Sequence, residues 1–297
     1  MLQRRTDLAV EEKALREADG ELSGVESTRR VREGFSVTEV KILDEAGAAR
    51  LGKPVGSYVT LELEGLRRRE EDAFGRAVRA LAAELSTLLK GKGTESVLVV
   101  GLGNRAVTPD AVGPLAVGHT LVTRHLVEQM PEQFSAFRPV SAVAAGVLGT
   151  TGVESGELVG ALCEKLSPDT VIAVDALASR ALSRVCTTVQ LSDTGIVPGS
   201  GVGNARAALN GETLGRPVIA IGVPTVVDGA TLAADLLAEA GREDLEPEAL
   251  RGQAGGVFVT PRDIDERVAD LSKVIGWGVS LALQPELTMT DLELLLT

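Results

Sequence analysis

Two aspartates, Asp110 and Asp175, are the residues of this sequence best suited to chemistry. Each follows a short apolar run of β-formers. Val97 to Gly101 leads into a glycine-bearing loop that carries Asp110, and Thr170-Val-Ile-Ala-Val ends on Asp175. Ligands of a parallel sheet collect at the carboxyl ends of its strands, so this pattern predicts both carboxylates facing one crevice. Two carboxyls brought together split their proton affinities: one stays ionised as a base while the other is held protonated as an acid. Such a pair can activate a water and protonate a leaving amide nitrogen. The same two positions also suit aspartates that do no more than cap the helices after them.

Other chemistries fit less well. After Gly101 and Gly103, the third small residue of a dinucleotide-binding turn falls at Ala106. Pro109 stops a helix from continuing through the phosphate turn, and no acid ends a following strand at the required distance. Gly47-Ala-Ala-Arg-Leu-Gly-Lys53 has the spacing of a phosphate loop. Pro54 stands where the magnesium-binding hydroxyl belongs, and a strand follows where a helix is needed, so a surface turn is expected. Asp193-Thr-Gly195 has the form of an aspartic-protease triplet, but that chemistry needs two such aspartates sharing a proton. One copy inside an α/β pattern reads as a turn after a strand. His119 and His125, the only histidines, fall on one predicted helix but not at i,i+4 spacing. No His-Glu-x-x-His, Gly-x-Ser-x-Gly or Cys-x-x-Cys motif is present, and no metal or cofactor is expected.

The elements that must position the acids are legible in outline. Residues 7–32 are charged and lack a clear period, which predicts a loose arm with some helix. Val37 to Leu43 and Ser57 to Leu63 alternate as half-exposed strands do. Arg67 to Lys90 has helical spacing, Ser96 to Gly101 is a buried strand, and Leu115 to Met130 reads as helix. Strands follow at Val140–Val147, Thr170–Asp175, Cys186–Leu191 and Val218–Val223, with helices at Gly156–Leu166 and Gly229–Ala240. Val257-Phe-Val begins a last unit, and Thr260-Pro-Arg-Asp caps a helix running to about Leu283. The order predicts an α/β fold: a mainly parallel sheet with helices on both faces, plus an N-terminal strand-rich extension.

Composition narrows the function. The 297 residues are 44% hydrophobic but only 2% aromatic, so the core must be built from Val, Leu, Ile and Ala. A net charge of −12 argues against binding nucleic acid through its phosphates. Cys163 and Cys186 are too few for a disulfide framework and are expected as small buried residues. The N-terminus lacks an apolar signal core and no stretch reaches membrane-spanning length, which predicts an intracellular protein with no membrane partner.

Longer motifs carry a resemblance. Gly101-Leu-Gly-Asn104, Val107-Thr-Pro-Asp-Ala-Val-Gly-Pro114, Ala173-Val-Asp-Ala-Leu177 and Ser192-Asp-Thr-Gly-Ile-Val-Pro-Gly-Ser-Gly-Val-Gly-Asn204 resemble the spore germination proteases. So do Pro217-Val-Ile-Ala-Ile-Gly-Val-Pro-Thr-Val-Val-Asp228 and Val259-Thr-Pro-Arg-Asp-Ile-Asp265. The resemblance runs from Arg5 to the last helix. It implies an endopeptidase of the forespore or spore core that starts the degradation of small acid-soluble spore proteins during germination. It further implies a zymogen that clips its own N-terminus, a homotetramer, and a catalytic pair matching Asp110 and Asp175. The fold is similar to that of the hydrogenase maturation proteases, whose matching acids contact a metal. That keeps a metal-dependent processing protease open, beside a non-catalytic α/β binding protein.

Family substrates are cut after an acid and before a large apolar residue followed by Ala-x-Glu. Asp7-Leu8-Ala9-Val10-Glu11 reproduces that order. Residues 1–7 are therefore expected as a short propeptide cut between Asp7 and Leu8, and 8–297 as one peptidase domain. Asn104 and the turn Gly199-Ser200-Gly201 are expected to shape the cleft and give backbone N–H donors to an oxyanion, with Asp193 close by. The arm ahead of Asp7 is very short for this family, and the tail after Pro285 has no assigned role.

Overall fold

The computed structural model describes residues 6–17, 22–241 and 256–296. Nine strands form one sheet: β1 (Val25–Arg32), β2 (Phe35–Ile42), β3 (Gly56–Glu62), β4 (Val97–Leu102), β5 (Val140–Gly146), β6 (Thr170–Ser179), β7 (Thr188–Ser192), β8 (Val218–Asp228) and β9 (Phe258–Val259). Their order is β1-β2-β3-β7-β8-β6-β4-β5, with β9 paired to β8. Only β4–β5, β4–β6 and β6–β8 are parallel pairs; the others are antiparallel. The fold is α/β, but the mainly parallel sheet expected from the sequence is confined to its β8-β6-β4-β5 half.

Connection length explains the difference. β1 and β2 are joined by Glu33 and Gly34, both at positive φ, which is the backbone of a tight antiparallel hairpin. The β6–β7 link is too short for the helical crossover that parallel strands need, so β7 runs antiparallel and bridges the two halves. β1 itself falls in the segment read as a loose arm. It is exposed on both faces along most of its length, so it carries no hydrophobic alternation to read.

Alternate residues divide the core. Val97, Val99, Ile172, Val174, Ile219 and Ile221 face one side, where the Ala73–Leu89 and Ile264–Leu283 helices pack. Leu98, Val100, Val171, Ala173 and Val218 face the other, under the Ser155–Leu166 helix. On that second face the Ala9–Glu17 helix covers a separate cluster with Val40, Ile42 and Tyr58. Cys163 and Cys186 are buried free thiols, as expected. No helix among the described residues is long and apolar enough to cross a membrane.

Two predicted helices are broken. The segment read from Arg67 to Lys90 enters its helix only at Ala73, and the short Glu64–Arg67 helix is separated from Ala73–Leu89 by Arg69 and Asp72, both at positive φ. Leu115–Met130 divides into Val112–Gly118 and Arg124–Gln129, because Leu121 N–H turns to the Ser280 hydroxyl and Val140 N–H to the Thr123 hydroxyl.

The N-terminal strands are fastened to the core by charge. Glu84, almost fully buried on the Ala73–Leu89 helix, accepts from Arg30 and from Arg32 Nε at 3.1 Å, while Arg30 also pairs with Glu39 at 2.9 Å. Removing the carboxylate takes that partner from Arg32 and leaves Arg30 with Glu39 at the helix–strand junction. Glu84→Ala is expected to destabilise the fold by about 2 kcal/mol, read as a lower urea midpoint with an unchanged slope.

Candidate active site

Asp175 does not end its strand; β6 continues to Ser179. Its position is nonetheless special, because the pairing with β4 stops at Gly101↔Val174. Asp175 is the first β6 residue past that neighbour, on the face of Val171 and Ala173. Its carboxylate is buried and accepts from Ala176 N–H at 2.9 Å. Burial pushes its pKa well above the usual carboxylate value, and the charge of Asp110 pushes in the same direction.

Asp110 comes from the loop after β4, in the single turn Thr108–Asp110. Gly103 makes that loop possible: its φ is +107°, and a Cβ there would lie 2.1 Å from the Asp110 carbonyl oxygen. The glycine run is thus built around Asp110. Asp110 is half-buried and accepts Asn104 N–H at 2.7 Å. Burial raises its pKa, and the Asn104 bond opposes that rise by favouring the ionised form. Asp110 and Asp175 line one cavity of about 600 Å³ with Asn104, Gly199, Ser200, Gly201 and Asp7.

The remaining predicted residues separate by role. Asn104 uses its side chain on its own turn, accepting Ala106 N–H at 3.0 Å. The N–H groups of Ser200, Val202, Gly203 and Asn204 are spent on carbonyls inside their own loop. That turn instead reaches the arm through the Ser200 hydroxyl, 3.0 Å from Asp7 Oδ1. Asp193 lines neither this cavity nor the adjoining one; its carboxylate accepts Ser57 N–H at 2.8 Å and fixes the start of β3.

The arm is seated in the order of the motif. The Asp7 carboxylate accepts Ala178 N–H at 2.8 Å, and Asp7 N–H donates to Ala178 O at 2.9 Å. Leu8 and Ala9 are fully buried, whereas Val10 is half-buried. Glu11 accepts Arg180 N–H at 2.7 Å and Ala181 N–H at 3.1 Å. Residues 1–5 of the expected propeptide lie outside the described residues.

Sequence reasoning missed two contacts. Lys53, the last residue of the supposed phosphate loop, donates from Nζ to Asp7 O at 2.8 Å. Gln190 Nε2 donates to the same oxygen at 3.1 Å, and its Oε1 accepts Ala9 N–H at 2.7 Å. A glutamine between Val189 and Leu191 in a core strand was the available signal, since a buried amide needs partners. Among the described residues, no group of three or more His, Cys, Asp or Glu is placed to share a metal. The two acids alone fall short of the three protein ligands that catalytic zinc sites use.

Comparison with known proteins agrees with the longer motifs. Residues 4–238 match the family model described as germination protease. A germination protease of Caldanaerobacter subterraneus subsp. tengcongensis is 44% identical, over 98% of each chain. One from Clostridium perfringens is 43% identical over 97% of each, and one from Bacillus cereus 49% over 78% of this chain and 65% of its own. A [NiFe] hydrogenase maturation protease HycI from Thermococcus kodakarensis aligns with a TM-score of 0.36 and 18% identity, over 66% of this chain and 98% of that one. The chain belongs to the germination protease family.

Proposed function

We propose that this chain is an aspartate-dependent endopeptidase that starts the degradation of small acid-soluble spore proteins in the germinating spore core. It is made as a zymogen, cuts its own Asp7–Leu8 bond and works as a homotetramer. The observation that carries this reading is the shared cavity of Asp110 and Asp175, bordered by an arm that presents the substrate pattern. Asp110, held by Asn104 N–H, is the ionised member and takes a proton from the attacking water. Asp175, more deeply buried and repelled by Asp110, keeps its proton and gives it to the leaving nitrogen. An acidic enzyme attracts basic-surfaced substrates at modest ionic strength.

Asp110→Asn and Asp175→Asn should each lower cleavage of a peptide carrying acid-Leu-Ala-x-Glu by roughly 10³-fold or more, because the pair acts as a unit. Asp193→Asn should stay active, since an amide oxygen can still accept Ser57 N–H. Equal loss in all three would move Asp193 into the reaction and sink the assignment. Full activity in excess chelator separates this mechanism from a metal-dependent one.

The buried acid also predicts a stability change of unusual sign. The native pKa of Asp175 lies above its unfolded value, so stability falls as pH rises through the interval between them. Asp175→Asn removes that loss. It should raise the urea midpoint at neutral pH, with the advantage shrinking as pH is lowered toward the ordinary carboxylate value. A lower midpoint at neutral pH would contradict the burial argument.

Self-processing has its own test. Leu8→Ala removes a buried side chain worth about 1.5–3 kcal/mol, so self-cleavage should slow by about 10- to 100-fold if that binding is realised in the transition state. Asp110→Asn should keep its original N-terminus even when concentrated. Intact mass reads both, and an Asp110→Asn chain beginning at Leu8 in pure solution would end the hypothesis.

A further inference from the structure

The loop that imitates a phosphate-binding motif ends on an ammonium group with another use. Lys53 Nζ and Gln190 Nε2 converge on the carbonyl oxygen of Asp7 at 2.8 and 3.1 Å. The oxygen of the same carboxamide accepts Ala9 N–H, so Gln190 fixes the backbone on both sides of Leu8. We propose that Lys53 and Gln190 are the donor pair that polarises the carbonyl of the bond to be cut, in the chain's own arm and in a substrate that takes its place. This rests on the reading of Asp7–Leu8 as the cleaved bond.

Position supports the assignment. Asp7 borders two cavities, the larger one holding Asp110 and Asp175 and a smaller one of about 400 Å³ lined by Lys53 and Gln190. Gln190 and Asp175 are both register partners of Gly222, so the three form one row on one face of the sheet. Gly222 contributes no side chain to that row. The acids therefore lie to one side of Asp7 and the donors to the other. The Asp7 carboxylate is pinned separately, by Ala178 N–H and the Ser200 hydroxyl, and a Cβ on Gly201 would come within 1.9 Å of it. The side chain of the acid and its carbonyl are thus read by different groups.

The chemistry balances with water as the only co-reactant. Its oxygen bonds to the Asp7 carbonyl carbon while its proton passes to the ionised aspartate. The C=O π pair moves onto oxygen, which becomes an oxyanion between Nζ and Nε2. The C–N bond then breaks as the carbonyl re-forms, and the Leu8 nitrogen receives the proton of the second aspartate. The two donors stand 2.8 and 3.1 Å from the ground-state carbonyl oxygen, close to where charge develops as that oxygen becomes the oxyanion. Burial lowers the proton affinity of Lys53, and the charges of Asp7 and Glu12 oppose that.

The test must separate polarisation from anchoring. In an Asp110→Asn background the Asp7 carbonyl carbon can be labelled with carbon-13. Lys53→Met and Gln190→Leu should each shift its resonance toward that of an unpolarised amide. In the cutting-competent chain each should slow release of the arm by roughly 10²–10³-fold. Hydrogen-exchange protection at Ala178, Arg180 and Ala181 should stay at the wild-type level, and Lys53→Arg should recover part of the rate. An unmoved resonance, or a rate loss accompanied by lost protection, overturns the proposal and leaves the pair as anchors. Should Lys53→Met not fold, Gln190→Leu carries the same measurement. If the wild type never cuts itself, self-processing fails, while the carbonyl resonance still decides for or against the donors.

Discussion

β4 stops where β6 does not, and the site follows from that mismatch. Past Val174 the β6 edge has lost its strand neighbour while its other edge stays paired with β8. Ala176, Ala178 and Arg180 are alternate residues, so their N–H groups point to the same open edge. Left unpaired in a half-buried setting, each would cost free energy comparable to a lost hydrogen bond. Each instead meets a carboxylate: Ala176 its own neighbour Asp175, Ala178 Asp7, and Arg180 Glu11. Three acids thus do the work of a missing strand. The acid nearest the end of β4 is also the one whose proton affinity burial raises well above the ordinary carboxylate value.

On the proposed function, that substitution would place recognition and chemistry on one edge. A peptide with acids at the spacing of Asp7 and Glu11 would match the N–H groups of Ala178 and of Arg180 just past the end of β6, and a peptide lacking them would leave those groups bare. Specificity of this kind is strong because the penalty falls on the enzyme's own backbone. Covalent attachment adds to it, since a tethered arm meets its site at high effective concentration without any new contact. Leu8 and Ala9, fully buried between the two acids, leave little room for a larger residue at the second position.

The sequence exposed the parts whose physics is local. Strand alternation, the two long helices, and a loop with Gly103 serving Asp110 could all be read from residue type and spacing. The antiparallel half was less visible, because direction depends on connection length and on which strand β7 joins, not on periodicity. β1 carries no periodic signal: it is exposed along most of its length, and its pairing partner lies across a two-residue turn. Asp175 reads as a strand end because Ala176-Leu-Ala-Ser179 holds no β-branched residue, and its extended state depends on pairing with β8. Lys53 fails the one motif its spacing suggests, and Gln190 is a single polar residue inside an apolar strand. Both acquire meaning only when the arm, more than forty residues from either, folds across them.

Electrostatics links the arm to the acids in one further way. The charge of Asp7 raises the proton affinity of Asp175 and of Lys53 alike, although burial acts on the two in opposite directions. In the proposed self-cleavage, release of residues 1–7 takes that charge from both. Asp175 then holds its proton less tightly, and Lys53 loses one of the two carboxylates that favour its charged form. A substrate that delivers its own acid to Ala178 N–H and the Ser200 hydroxyl restores both effects at once. On that reading the residue before the cut also adjusts the proton affinities of the site it addresses, with burial the larger influence on both groups.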